Sequence, residues 1–291
     1  MLDILIQLTV TGILLGGIYA LVSIGLCLIF GVLEIVNFAH GEFLMLSMYM
    51  TYWLFTAFGL DPYVSILIVS PVFFIFGSII QKTVINKLVE APHLNQIFAT
   101  VGLSMVMQNI ALLLWKADYR IVKTSYSSKC ILLGNISISM TRVSAFFVAI
   151  GIIALLFLFL NLTYAGKAIR AVAQERRAAR LMGINIEKTY QFAFGIGIAL
   201  TAIAGCILMP IYYAFPTVGN LFSLIAFVVV VLGGYNNLIG ALLGGLVIGM
   251  VETYSGFFIT PHLKEAIYFV LFILILLFKP TGLLGRKEMS K

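Results

Sequence analysis

Long apolar runs separated by short polar breaks occupy nearly the whole chain. A helix needs about 20 apolar residues to cross ~30 Å of hydrocarbon, and most of these runs approach or exceed that length. The seventh and eighth runs are barely long enough, because Gly and Asn residues at 233–237 interrupt them. The pattern predicts an all-α, polytopic transmembrane helical bundle with about eight or nine crossings, some of whose helices are discontinuous. The runs lie at about 4–30, 38–58, 63–81, 96–115, 143–162, 190–213, 221–234, 238–254 and 265–279.

The composition agrees with a chain that is embedded in a membrane. Of its 291 residues, 62% are hydrophobic and 10% are charged, and the mean hydropathy is +1.12. Because soluble domains are only about half apolar, this composition excludes a soluble domain. The first run follows Asp3 instead of a basic segment and is longer than a signal-peptide core, so we interpret it as an uncleaved span. We expect residues 1–291 to form a single transmembrane domain.

The basic residues predict how the chain is oriented. The formal charge is +7, but Lys and Arg lie next to the apolar runs, so nucleic acid is not an expected partner. Cytoplasmic loops of membrane proteins carry an excess of Lys and Arg. With nine crossings, twelve of the eighteen basic residues lie on the same side as the break at 163–189, as does the C-terminal tail. This bias predicts an external N-terminus, a cytoplasmic C-terminus and an external loop at 116–142.

The join between the first two runs, VLEIVNFAHGEFLM at 32–45, carries polar side chains that a bilayer normally rejects. A glycine flanked by hydrogen-bonding side chains suits a discontinuous helix, whose freed backbone groups need partners inside the bundle. These side chains cap the broken helix ends, line a translocation path or lie at the membrane interface. A Gly-Gly pair opens the later break at 233–237. The candidate residues for a translocation path or helix break are Asn37, His40, Gly41, Glu42, Gly233 and Gly234.

The break at 163–189 is the longest one on the predicted cytoplasmic side, and its composition predicts a helix over 164–188. Its alanines favour helix in water, and Gly183 is a suitable C-terminal stop. One interpretation is a basic helix that lies on anionic headgroups. The other is a short docking helix that enters a groove on a cytoplasmic partner. The residues predicted for this coupling are Arg170, Arg177, Ala178, Ala179, Leu181 and Gly183.

Several kinds of active site are absent from the sequence. It contains no GxxxxGK followed by Ser or Thr to hold the phosphates of ATP, and neither HExxH nor GxSxG. His40 and Glu42 are two residues apart, so on a helix they face different directions. Three cysteines, an odd number, indicate no disulfide or metal framework. An enzyme is therefore not expected, and an ion-coupled transporter would need more embedded acids than Glu42 and Glu252.

Three ordered motifs resemble those of a known family. The string RAAxxxG at 177–183 resembles the EAAxxxG signature of ABC importer permeases, with Arg in the place of Glu. The segments at 16–43, 166–185 and 230–252 are similar to the corresponding segments of the high-affinity branched-chain amino-acid permease family. The chain departs from the family at that Arg and at 236–237, where Asn-Asn replaces a Gly and Ser pair.

The resemblance implies one permease subunit of an ABC importer, the smaller of two homologous permeases. The implied partners are that second permease, two cytoplasmic ATPase subunits, a periplasmic substrate-binding protein and the lipid bilayer of the bacterial inner membrane. The partner subunits would bind ATP, so no cofactor is expected in this chain, and 163–189 would be the cytoplasmic coupling-helix loop. The implied activity is translocation of branched-chain or related amino acids by alternating access. A permease for urea or short amides, and less directly an ion-coupled transporter, are the alternatives.

Overall fold

The computed structural model describes residues 1–134, 136–259, 263–279 and 282–284, and most of them are helical. A short 3₁₀ helix, Ile85–Leu88, and an antiparallel hairpin of strands β1 (Cys130–Leu133) and β2 (Ile136–Ser139) complete the described elements. The α-helices are α1 (Leu2–Leu33), α2 (His40–Phe58), α3 (Pro62–Thr83), α4 (His93–Trp115), α5 (Met140–Leu162), α6 (Tyr164–Gln174), α7 (Arg176–Leu181), α8 (Ile186–Leu208), α9 (Val218–Gly233), α10 (Leu238–Phe258) and α11 (Lys264–Phe278).

Nine of these helices coincide with the nine apolar runs of the sequence. Within the described residues, six are long and apolar enough to cross a membrane, namely α1, α3, α4, α5, α8 and α10. The other three are α2, with 19 residues and a polar start, α9, with 16 residues, and α11, with 15 residues. The predicted all-α polytopic fold with discontinuous helices is confirmed, and eight or nine crossings stays a prediction.

The hairpin lies in the predicted external loop at 116–142, where the sequence pattern did not predict strands. Its second strand alternates Ile and Ser, as in a half-buried strand, but four residues are too few to stand out between long apolar helices. Gly134 adopts φ +63° between the strands, a conformation that favours glycine. The hairpin covers the start of α1, where Gln7 Nε2 donates to the carbonyl oxygen of Ser137 at 3.4 Å.

Helices α1 and α8 form the centre of the bundle and are buried over most of their length. They run in opposite directions and cross at two glycines. A Cβ on Gly25 would lie 2.6 Å from the carbonyl oxygen of Gly197, and one on Gly197 would lie 2.7 Å from that of Gly25. Because no larger residue fits at this crossing, the two glycines let the central helices approach backbone to backbone.

The remaining helices are arranged in two similar halves of opposite direction. Helix α1 packs on α10 and α9, and α8 packs correspondingly on α3 and α2. Each central helix is followed by a non-helical segment, 34–39 or 209–217, and then by a helix that begins inside the bundle, α2 or α9. The short sequence echo between 17–25 and 197–205 lies on the two central helices. Helices α1–α4 and α8–α11 thus form an inverted repeat, joined by α5, α6 and α7.

The bundle has two distinct ends. At the end that holds the hairpin, Arg120 and Ala214 exchange backbone hydrogen bonds of 2.9 and 2.7 Å. At the opposite end, which holds α7, the backbone N–H of Leu283 donates to the carbonyl oxygen of Leu232 at 2.7 Å. The described residues of 116–142 and of 163–189 therefore lie at opposite ends of the bundle. The excess of Lys and Arg had predicted that these two segments lie on opposite sides of the membrane. The basic residues of the predicted cytoplasmic tail at 285–291 lie outside the described residues.

Replacement of Gly16 by Ala tests the close contact between α1 and α10. The new Cβ would lie 2.6 Å from the Cα of Leu246, so the helices must separate. Overpacking of this kind costs about 1–3 kcal/mol, and we expect a lower melting temperature for the purified protein in detergent. Gly151→Ala on α5 is the matched control, because nothing lies within 4 Å of its Cβ and alanine favours helix. Equal melting temperatures for the two variants would contradict the contact.

Candidate functional site

The first helix break lies between α1 and α2, over residues 34–39. Glu34 ends α1 in the left-handed conformation, with φ +57°, and its N–H donates to the carbonyl oxygen of Phe30 at 2.8 Å. The chain then turns back into the bundle. The Oδ1 of Asn37, which is fully buried, accepts the N–H of Ala39 at 3.1 Å. Asn37 therefore satisfies a backbone group that the break sets free.

His40, the first residue of α2, fixes the depth at which that helix begins. Its Nε2 donates to the carbonyl oxygen of Val22 at 3.0 Å and lies 3.0 Å from Oγ1 of Thr201. Val22 is well inside α1, and Thr201 is near the middle of α8. Helix α2 therefore begins inside the bundle, with its first side chain bound to both central helices.

The second broken helix, α9, begins beside the first. The N–H of Gly41 donates to Oγ of Ser223 at 2.8 Å. A Cβ on Gly41 would overlap the carbonyl oxygen of Gly219, so the two helix starts touch through glycine. Both helices point their positive N-terminal ends at this junction, an arrangement found where transporters bind or pass polar groups.

Glu42 lies at the junction, fully buried, and faces away from His40 as their spacing predicted. Its Oε1 accepts Nε2 of Gln108 at 2.7 Å and Oγ of Ser104 at 3.3 Å. Gln108 also donates to Oδ1 of Asn220 at 2.8 Å, which extends the network from α2 through α4 to α9. The carboxylate is thus held by neutral donors beside two positive helix ends. We call Glu42, Ser104, Gln108, Asn220 and Ser223 the junction cluster.

A groove of about 650 Å³ between α4, α9 and α11 leads to the junction cluster. Four members of the cluster line it, all except Glu42, and its other walls are largely apolar. Sequence reasoning missed these four side chains, although Ser and Gln four residues apart inside the apolar run at 96–115 are a detectable signal. The apolar lining includes Val101, Met105, Leu224, Phe227, Phe269 and Phe272.

The predicted site residues separate into three places. Asn37 and His40 are buried in the break and do not line the groove. Gly41 lies at the contact between α2 and α9. Gly233 and Gly234 lie at the α7 end, where Gly233 packs against Gly240 and Gly234 has φ +102°. The glycine pair therefore forms the tight turn between α9 and α10 and is not part of the junction.

The predicted single helix over 164–188 is wrong, because the structure divides this segment into α6 and α7. Glu175 between them is extended, with φ −156°. Its Oε1 accepts the N–H of Arg177 at 3.1 Å, which starts α7. A side-chain acceptor thus competes with the helical hydrogen bond at this position. The first helix is capped in the same way, since Oγ1 of Thr163 accepts the N–H of Gly166 at 3.0 Å.

Helix α7 ends in a turn that requires glycine. Gly183 has φ +83°, its N–H donates to the carbonyl oxygen of Arg180, and the N–H of Ile184 donates to that of Ala179. This pair of bonds is the Schellman motif that ends helices. The predicted coupling residues Arg170, Arg177, Ala178, Leu181 and Gly183 are exposed, whereas Ala179 is buried.

Discontinuous helices whose N-termini meet inside an all-α polytopic bundle are typical of membrane transport proteins. The family model for the permease component of branched-chain amino acid transport systems matches residues 8–276 of this sequence. The chain belongs to this family of transport-system permeases.

Individual relatives cover almost the full chain. The high-affinity branched-chain amino acid transport system permease protein LivH of Salmonella typhimurium is 31% identical over 98% of this chain and 97% of its own. The corresponding protein BraD of Pseudomonas aeruginosa is 31% identical over the same shares. The ribose import permease protein RbsC of Haemophilus influenzae is 27% identical over 64% of this chain and 60% of its own. No solved structure matches the chain.

Two substitutions at Glu42 test the junction cluster. Glu42→Ala removes the acceptor of Gln108 and Ser104, and a buried donor without its partner costs about 1–3 kcal/mol. Glu42→Gln keeps a carbonyl oxygen at the same place. We expect the alanine variant to melt several degrees lower in detergent and the glutamine variant to remain close to wild type. An alanine variant as stable as the glutamine variant would show that the network does not hold α2, α4 and α9 together.

Proposed function

We propose that this chain is the permease subunit of an ATP-driven ABC importer that carries branched-chain or related amino acids across the bacterial inner membrane. It works beside a second homologous permease, above two cytoplasmic ATPase subunits and below a periplasmic substrate-binding protein. Membership of the permease family and the names of the relatives support this proposal. The meeting of the N-termini of α2 and α9 beside the groove is the observation that carries the translocating role.

The groove provides the chemistry that an aliphatic amino acid needs for passage. Its amide and hydroxyl groups at Ser104, Gln108, Asn220 and Ser223 pair with polar substrate atoms, and its apolar walls contact a hydrocarbon side chain. None of its lining residues among those described is charged, so binding there is weak. Selectivity then resides mainly in the protein that delivers the substrate, and the path needs only to release it.

The coupling role rests on the exposed tip of the segment at 163–189. Leu181 is 88% exposed and Met182 is 82% exposed, beside the exposed Arg177 and Ala178. Two large apolar side chains at the end of a cationic helix favour contact with a protein over contact with water. Since the sequence has no phosphate-binding motif for ATP, the energy comes from the ATPase subunits. Their closure moves α6 and α7, and the two permeases rock between outward and inward openings.

The similarity to a ribose import permease supports a wider choice of solute within the same transporter class. Urea or short amides therefore remain the second candidate substrates. An ion-coupled transporter is less favoured, because Glu42 is held by the neutral donors Gln108 and Ser104, and Glu252 accepts the hydroxyl of Tyr19 at 2.5 Å. The described residues contain no group of three His, Cys, Asp or Glu side chains that could hold a metal ion.

Maleimide labelling tests the orientation. Cys130 is exposed on the hairpin, whereas Cys27 and Cys206 are buried. We expect a membrane-impermeant maleimide to label wild-type protein in spheroplasts, and Cys130→Ser to abolish that labelling. In the Cys130→Ser background, Leu181→Cys is expected to react only in inside-out vesicles. Labelling of Leu181→Cys in spheroplasts would reverse the proposed topology and remove the coupling role of α7.

Reconstitution tests the function itself. Proteoliposomes that contain both permeases and both ATPases are expected to accumulate labelled leucine only with ATP and the binding protein. Unlabelled isoleucine and valine should compete, and urea and acetamide should not. Competition by urea or acetamide alone would instead select the second candidate substrates. Uptake by this chain without any ATPase would contradict an ABC importer and favour an ion-coupled transporter.

A further inference from the structure

Arg176, the first residue of α7, joins three parts of the bundle at once. One guanidinium nitrogen lies 3.0 Å from Oε2 of Glu34, and the same nitrogen donates to the carbonyl oxygen of Leu33 at 3.1 Å. The guanidinium carbon lies 5.5 Å from the ring centre of Tyr190, which is buried at the start of α8. The side chain therefore contacts the end of α1 and the beginning of α8, the two central helices.

Both partners of the ion pair occupy unusual backbone positions. Arg176 follows the extended Glu175 that separates α6 from α7. Glu34 has φ +57°, a left-handed conformation that non-glycine residues adopt at a cost of about 1–3 kcal/mol. An ion pair and a helix-end hydrogen bond at the same point help to hold that conformation. The pair thus connects the break between α6 and α7 with the residue that ends α1.

Glu34 leads directly into the first helix break. Two residues later, the carbonyl oxygen of Val36 accepts Oγ1 of Thr100 on α4 at 3.3 Å. Asn37, His40 and Glu42, the member of the junction cluster on α2, follow within eight residues of Glu34. A displacement of Arg176 is therefore transmitted through a short, buried and hydrogen-bonded segment to the start of α2.

From these contacts we infer that the Arg176–Glu34 ion pair is the link that transmits movement of α7 to the helix break at 34–39. The inference rests on the proposed function, because it requires an ATPase that moves α7. Arg176 and Glu34 act as positioning residues and touch neither ATP nor substrate. Their partial exposure suits this role: the side chains are 34% and 69% exposed, so the pair can break and form again without leaving a buried charge.

The test measures coupling in the reconstituted importer, as leucine molecules taken up per ATP hydrolysed. We expect Glu34→Gln and Arg176→Gln each to lower this ratio about threefold or more, the scale of one partly exposed ion pair. ATP hydrolysis itself is expected to continue. In the Arg176→Gln background, the added Glu34→Gln should have no further effect, because its partner is already absent. Arg176→Lys keeps the charge and should recover part of the ratio.

Two neighbouring substitutions are the matched controls. Glu187→Gln and Lys188→Gln each remove one exposed charge at the same end of the bundle, in the first turn of α8. We expect both to retain the wild-type ratio. Melting temperatures of all variants are measured in detergent, so that a loss of stability is distinguished from a loss of coupling.

The outcomes separate the link from the importer assignment. If wild type couples hydrolysis to uptake and the Glu34 and Arg176 variants keep its ratio, the link is wrong and the importer stands. Lower melting temperatures with an unchanged ratio would likewise reduce the pair to a helix cap. Additive losses in the double variant would show that the two residues act separately. If the wild-type assembly does not couple ATP hydrolysis to uptake, the proposed function itself fails.

Discussion

The structure depends on hydrogen bonds to the backbone N–H and C=O groups that the interrupted helices leave free inside an apolar bundle. Two helices begin inside the bundle, where a backbone polar group without a partner would cost several kcal/mol. The chain solves this by bringing the two helix starts into contact, so that Gly41 binds Ser223 and lies against Gly219. Asn37 binds the N–H of Ala39 in the first break, and His40 binds the carbonyl oxygen of Val22 on α1.

Glycine permits the contact and also sets the shape around it. The central helices approach at Gly25 and Gly197, and α1 meets α10 through glycines on both helices. In lipid the hydrophobic effect gives little drive for helix association, so close packing of this kind supplies much of the attraction. Such close packing leaves few loose side chains at the centre of the bundle.

Sequence patterns predicted the helices better than their partners. Apolar periodicity and length gave the nine main helices, and the polar stretch at 32–45 indicated the first break correctly. The pattern did not identify Gln108 or Asn220, because their partners across the bundle lie far away in sequence. It also missed the break at Glu175, where a single capping side chain outweighs the helix propensity of the alanines around it.

The opposite directions of the two halves have a consequence for the working cycle. The two halves run in opposite directions between the ends of the bundle, so the shape that one half holds here is open to the other half in the inverted orientation. If the halves exchange these shapes, the opening passes from one face to the other while the glycine contact at the centre stays in place. One chain would then contain both conformations of the transporter, because each half shows the shape that the other half adopts in the alternative state.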